Sequence, residues 1–180
     1  FDDENREWDH VTDVIVLGYG GAGACAAIAA KDAGAEVIIL EKAPFSGGNT
    51  ACSLGNLLLP NNVTEAIAYY RALSFETVSD EDLIRIFAEA MVELPERLRE
   101  WGINLTLRNS NTPTFPTLPG ARCIDHWSAG LGESLFNILV DNVEQRKIKI
   151  FYESPAKTIL RDTKTKNIQG VIAEKEGKRI

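Results

Sequence analysis

The sequence predicts an α/β fold with a parallel sheet, and three observations carry that prediction. A short apolar run, Val14–Leu17, is followed by three spaced glycines and then by a helical stretch. A second apolar run, Val37–Leu40, ends on an acid, Glu41. Towards the C-terminus, runs of alternating polarity are joined by a polar turn. Apolar runs of this length suit strands buried on both faces, as parallel strands are. Alternating runs across a polar turn suit an antiparallel meander.

Gly18, Gly20 and Gly23 form G-x-G-x-x-G at the strand-to-helix turn. The first glycine permits the tight turn, the second lets backbone approach a pyrophosphate, and the third lets helix pack closely on strand. Gly21 and Ala22 open the helix, whose N-terminal N–H groups and positive dipole end suit phosphates. Ala22 to Ala33 is small and apolar, a close-packing helix, and Gly34 ends it. Glu41 stands eighteen residues after Gly23, where a carboxylate accepts hydrogen bonds from ribose hydroxyls. Strand, turn, helix, strand and acid together predict a Rossmann-like dinucleotide site.

The chain has 180 residues, is 44% hydrophobic and carries a net charge of −7. That is ample for a folded core, and the charge argues against nucleic acid as a partner. No apolar run approaches the ~20 residues of a membrane span, and no signal-peptide pattern stands at the start. The chain begins at Phe1 rather than Met, which implies that something upstream was removed or left out. The compartment stays open, with the cytoplasm favoured. Cys25, Cys52 and Cys123 form no C-x-x-C pair, and the only histidines are His10 and His126. No metal site is expected.

In order, residues 1–12 read as a polar lead-in, with Trp8 packing on the outside of the sheet. Residues 13–60 read as the first part of the dinucleotide domain. After Glu41 and Lys42, Gly47 and Gly48 allow tight backbone curvature. Asn49, Thr50 and Ser53 then offer short donors and acceptors beside a ligand; a capped surface turn is the competing reading. Residues 61–125 read as a helical segment and loop. Thr64 is placed to cap a helix with Ile67, Tyr70 and Leu73 inward. Ser79 starts the next, with Leu83, Ile86, Phe87, Ala90 and Met91 as its apolar face, a kink or restart at Pro95, and Gly102 as its end. Asn104–Arg122 reads as a loop. It covers a substrate cleft or forms an ordered edge with no role in chemistry, and both readings stay open. Residues 126–180 read as the return to the dinucleotide domain. They comprise a helix from about Glu133 to Arg146, a third parallel strand over Ile148–Tyr152, and the meander.

The run VIVLGYGGAGACAAIAAKDAGAEVIILEKAPFSGGNTACSLGN resembles the N-terminal FAD signature of the fumarate reductase and 3-ketosteroid dehydrogenase group of flavoproteins. The resemblance implies a glutathione-reductase-like FAD-binding domain, a parallel sheet plus meander, with the start of a helical capping domain. It assigns Glu41 and Lys42 to the adenosine side. It assigns Gly48, Asn49, Thr50, Gly55 and Asn56 to the flavin side, with Ser53 between them. The backbone of Ala156 is assigned to adenine. The family often has Gly-Gly where this chain has Gly55-Asn56. Some members attach FAD through a histidine in this loop; this loop has none, which implies non-covalent FAD. His126 and Arg122 become candidates for contact with a substrate anion or carbonyl, against the favoured plainer reading of His126 as a surface residue beside Trp127.

The implied activity is oxidoreduction of a CH–CH or C=C bond next to a carboxylate or carbonyl. A small-molecule substrate and an unidentified electron donor or acceptor are its partners. A 3-ketosteroid dehydrogenase and a flavin-binding module without turnover are the alternatives. The chain stops inside the meander, so it is expected to be the first part of a longer protein. The catalytic acid is expected beyond Ile180.

Overall fold

The computed structural model describes residues 7–75, 77, 80–109 and 113–180. The expected helix start at Ser79 lies outside the described residues, as do 1–6 of the lead-in and 110–112 of the expected loop. In chain order the elements are β1 (Val14–Leu17), α1 (Gly21–Asp32), β2 (Val37–Leu40), α2 (Gly48–Ala51), β3 (Asn56–Pro60), α3 (Val63–Leu73) and α4 (Glu81–Glu100). There follow β4 (Thr106–Asn109), β5 (Ile124–Ser128), α5 (Gly132–Gln145), β6 (Lys149–Phe151), β7 (Ala156–Arg161), β8 (Ile168–Lys175) and β9 (Lys178–Arg179). The chain divides into two compact units, one of residues up to Cys52 with Leu139–Ile180, the other Ser53–Ile138.

The first unit holds a parallel sheet of order β1-β2-β6. β2 is central, and all four of its residues are buried, as a parallel strand covered on both faces must be. Each such aliphatic side chain contributes roughly 1.5–3 kcal/mol on burial. On one face Ile38 and Leu40 form a cluster with Ala173 of β8, joined by Ile15, Phe151, Val171 and Ile180. The meander β7-β8-β9 is antiparallel, as the alternation predicts. Asp162 shapes its first turn by accepting from the N–H groups of Lys164 and Thr165. Trp8 packs on this meander: a Cβ at Gly170 would lie 2.7 Å from its ring.

α1 buries Ala24, Ala27 and Ile28. Gly34, at φ +93°, ends the helix as expected. At the same end Asp32 receives two bonds from the Arg146 guanidinium, at 2.7 and 3.0 Å, which ties α1 to the end of α5.

The second unit pairs β3, β5 and β4 in an antiparallel sheet. Its core gathers Ala66, Tyr69, Ala88, Ala121, Cys123 and Ile124. Three expectations are corrected here: the cap of α3, the apolar face of α4 and the loop over 104–122. The cap of α3 is Asn62, whose side chain accepts from Glu65 N–H; Thr64 is already inside the helix. Ile67, Tyr70 and Leu73 of α3 do pack against this cluster, partly buried beside the fully buried Ala66 and Tyr69. α4, capped by Asp80, buries Ile84, Ala88 and Leu98 and leaves Leu83, Ile86 and Phe87 exposed. It also runs through Pro95 without restarting. Lastly, the segment 104–122 is no continuous loop, because Thr106–Asn109 pairs with β5. Gly102 does end α4, at φ +85°.

Candidate functional site

The carboxyl ends of β1 and β2 are stitched together by short bonds. Gly18 N–H donates to the Leu40 carbonyl at 2.8 Å. Gly18 itself sits at φ +98°, a conformation that a side chain would strain. A Cβ at Gly23 would lie 1.9 Å from the Gly18 carbonyl oxygen and 3.3 Å from Val16 Cγ1. This is the close helix-on-strand packing that the third glycine of the motif allows. Gly20, the residue before α1, is extended, and a Cβ there would find its nearest atom at 3.6 Å.

Glu41 is buried and its carboxylate is shared between two backbone donors. Tyr19 N–H reaches one oxygen at 2.6 Å and Ala43 N–H the other at 2.8 Å. The acid at the end of β2 therefore holds the glycine turn directly. Its second lone pairs leave capacity for hydroxyl donors. Lys42 is exposed beside it.

The segment after Lys42 folds back on the turn. Gly47 N–H donates to the Tyr19 carbonyl at 2.8 Å, and Gly20 and Gly47 form an isolated parallel bridge. Thr50 Oγ1 accepts from Gly21 N–H at 3.1 Å. Gly48 and Asn49 are exposed on α2. Ala156 opens β7, with its backbone following the sharp bend at Glu153. Gly18, Gly20, Gly21, Ala22, Gly23, Glu41, Lys42, Gly48, Asn49, Thr50 and Ala156 thus all belong to the first unit.

Ser53, Gly55, Asn56, Arg122 and His126 belong to the second unit. Ser53 Oγ accepts from Gly55 N–H, and the Gly55 carbonyl accepts from Ala129 N–H. Asn56 and His126 stand on paired strands, opposite Ser128 and Leu58 respectively. Arg122 lines a cavity of about 400 Å³ with Thr64, Glu65 and Pro116. Nearby, Asp125 is buried and accepts from Asn61 Nδ2 at 3.0 Å, a pairing that nothing in the sequence signalled.

Two aromatic residues also escaped sequence reading. Tyr19, between the first two glycines, is fully buried, with its ring 6.3 Å from that of Tyr152. Burial above all, then the neighbouring Tyr152 phenol and Glu144 carboxylate, push the Tyr19 phenol well above the usual range. Burial likewise pushes the Cys25 thiol up, which disfavours its thiolate. Among the described residues no group of three or more His, Cys, Asp or Glu side chains is placed to hold a metal ion. None of the described helices is long and apolar enough to cross a membrane.

A parallel sheet whose strand ends carry a bare glycine turn and a buried acid defines a dinucleotide-binding α/β domain. The chain belongs to the FAD binding domain family, which it matches over residues 13–180. It is 26% identical over 181 residues to a fumarate reductase (cytochrome) of Shewanella frigidimarina, covering 90% of this chain and 29% of that protein. It is 37% identical over 100 residues to a 3-oxo-5-alpha-steroid 4-dehydrogenase of Comamonas testosteroni, 49% of this chain and 18% of that protein. In fold it is similar to a 3-ketosteroid-delta4-(5alpha)-dehydrogenase of Rhodococcus jostii, with a TM-score of 0.80 at 24% identity, over 97% of this chain and 44% of that one. The chain spans less than a third of the length of these two curated relatives. The residues present fit FAD: the glycine turn has room beside its backbone at Gly20, and the Glu41 carboxylate is fixed directly against that turn.

Proposed function

We propose that this chain is the FAD-binding part of an oxidoreductase acting on a CH–CH or C=C bond next to a carboxylate or carbonyl. The observation that carries the reading is the Glu41 carboxylate, locked onto the glycine turn at the ends of two parallel strands. In this reading the turn and the N-terminus of α1 receive the pyrophosphate. Glu41 accepts from the adenosine ribose, with Lys42 beside it. Gly48, Asn49 and Thr50 are the flavin-side candidates of the first unit, and Ser53, Gly55 and Asn56 those of the second. His126 and Arg122 are the candidates for substrate contact in this chain. Bound FAD supplies the hydride chemistry, and these residues bind and orient it. The FAD is held non-covalently, since the segment from Gly47 to Asn56 contains no histidine.

A second reading, a 3-ketosteroid dehydrogenase, draws on the 37% identity to the Comamonas enzyme. The test uses the full-length protein. Denaturation should release a yellow flavin into the supernatant; a coloured pellet would mean covalent attachment, and no flavin in either would refute the cofactor. Dithionite-reduced protein is then mixed with enoates or with 3-ketosteroids that carry a conjugated ring C=C bond as hydride acceptor. Reoxidation by an enoate supports the first reading and by a steroid the second. Reoxidation by neither points to a flavin-binding module without turnover.

A further inference from the structure

We infer that Tyr152 is the platform on which the adenine base stacks. The inference rests on the FAD reading above and extends it to a residue that the sequence did not single out. Tyr152 follows β6 directly, at the carboxyl end of the sheet. Phe151, one residue earlier, enters the apolar cluster under the meander, so Tyr152 points to the opposite face. There its ring meets that of Tyr19, at 6.3 Å between centroids and 36° between planes.

The pair is asymmetric. Tyr19 is fully buried, whereas Tyr152 is only partly buried. A partly exposed aromatic residue backed by a fully buried ring suits a stacking platform. The backbone around it is fixed. Ser154, wholly buried, donates its hydroxyl to the Tyr152 carbonyl at 2.9 Å. Glu153 at φ +53° turns the chain sharply between them.

Position selects the ligand class. Glu41 bonds the glycine turn through its carboxylate. Through its backbone it bonds the segment that carries Tyr152: Glu41 N–H donates to Phe151, and Ser154 N–H donates to Glu41. Phosphate site, ribose acceptor and aromatic surface thus follow one another in the order of an adenine nucleotide. A purine is flat and apolar on its faces, and an aromatic side chain takes it by stacking.

The experiment measures FAD and ADP affinity of the full-length apoprotein with Tyr152→Leu and Tyr152→Phe, together with the thermal midpoint of each ligand-free variant. Stacking of a base on an aromatic ring corresponds to about tenfold in affinity. Tyr152→Leu should weaken both ligands by about that factor, and Tyr152→Phe should restore them. The ligand-free midpoint should move little. Unchanged affinity in Tyr152→Leu overturns the proposal, as does loss of FAD affinity with ADP affinity intact. If Tyr152→Leu fails to fold, wild-type protein decides. The adenine H2 and H8 resonances of bound ADP should move upfield in the ring current, and their staying in place overturns the proposal. Wild-type protein that binds neither ligand refutes the FAD reading itself; binding with a silent Tyr152 refutes only this assignment.

Discussion

Replacing Gly23 and Gly20 by alanine, one at a time, separates the glycine that builds the turn from the glycine that serves the ligand. At Gly23 the new methyl would stand 1.9 Å from the Gly18 carbonyl oxygen. That is about 1.5 Å short of ordinary contact, and the obstacle is backbone, held by the bond from Gly18 N–H to Leu40. Overpacking costs about 1–3 kcal/mol, and an immobile neighbour pushes it towards the upper end. Alanine's better helix propensity returns up to about 1 kcal/mol. Gly23→Ala should therefore destabilise by about 2 kcal/mol and abolish flavin binding with it. At Gly20 the backbone is extended, φ −98° and ψ −168°, and the nearest atom would be 3.6 Å away. Gly20→Ala should keep stability within about 0.5 kcal/mol. In the proposed function its methyl would nevertheless occupy the surface where backbone meets pyrophosphate. Loss of one charge-assisted bond weakens FAD by roughly ten- to a hundredfold. Urea unfolding of the ligand-free full-length variants and FAD titration by fluorescence give both numbers. Gly23→Ala with wild-type stability, or Gly20→Ala with wild-type affinity, would refute the reasoning.

Three further outcomes follow from the structure. Glu41→Ala removes acceptors from Tyr19 and Ala43 as well as from the ribose, so it should lower ligand-free stability and FAD affinity together, the latter roughly ten- to a hundredfold; loss of only one, by denaturation and titration, would show that the acid has a single role. Arg146→Ala should cost no more than about 1 kcal/mol at neutral pH, because the pair with Asp32 is partly exposed and screened. The Arg146 hydrogen bond holds the Asp32 pKa below its ordinary 3.8, so this contribution is complete above that value. It disappears as the pH falls through the lowered one, and stability curves of the two proteins should converge in acid. Asn62→Ala removes the cap of α3 and should lower stability by about 1 kcal/mol, read as a lower urea midpoint, whereas Thr64→Ala should change little.

What was legible in the sequence is what local chemistry decides. β1, α1 and β2 follow from apolar runs punctuated by glycines, and each boundary is set by residues within a few positions of it. The bare turn and the acid at the strand end were readable for the same reason. The sheet β3-β5-β4 was not. Leu57–Leu59 is short, and Ile124–Ser128 mixes Asp125 and His126 with apolar neighbours. Those strands become recognisable only through a pairing across some seventy residues of chain. α4 shows the limit of periodicity most plainly. The stripe Leu83, Ile86, Phe87 is present at helical spacing, but the side buried in this structure is that of Ile84 and Ala88. A period reports that a face is apolar; which neighbour lies against it is a tertiary fact.

The same distinction governs the site. Glu41 was expected to wait for a ribose, because a sequence shows an acid after a strand and nothing of what its oxygens touch. Its bonds to Tyr19 and Ala43 arise from a register that sets Leu40 beside Phe151 and Leu17 beside Leu40. Tyr152 gains its position from that register and from the left-handed turn at Glu153. Neither leaves a mark within a window of residues. A glycine motif with its strand, helix and acid can therefore be read from sequence alone. The base end proposed at Tyr152 depends on where strands meet, and it has to be read from the fold.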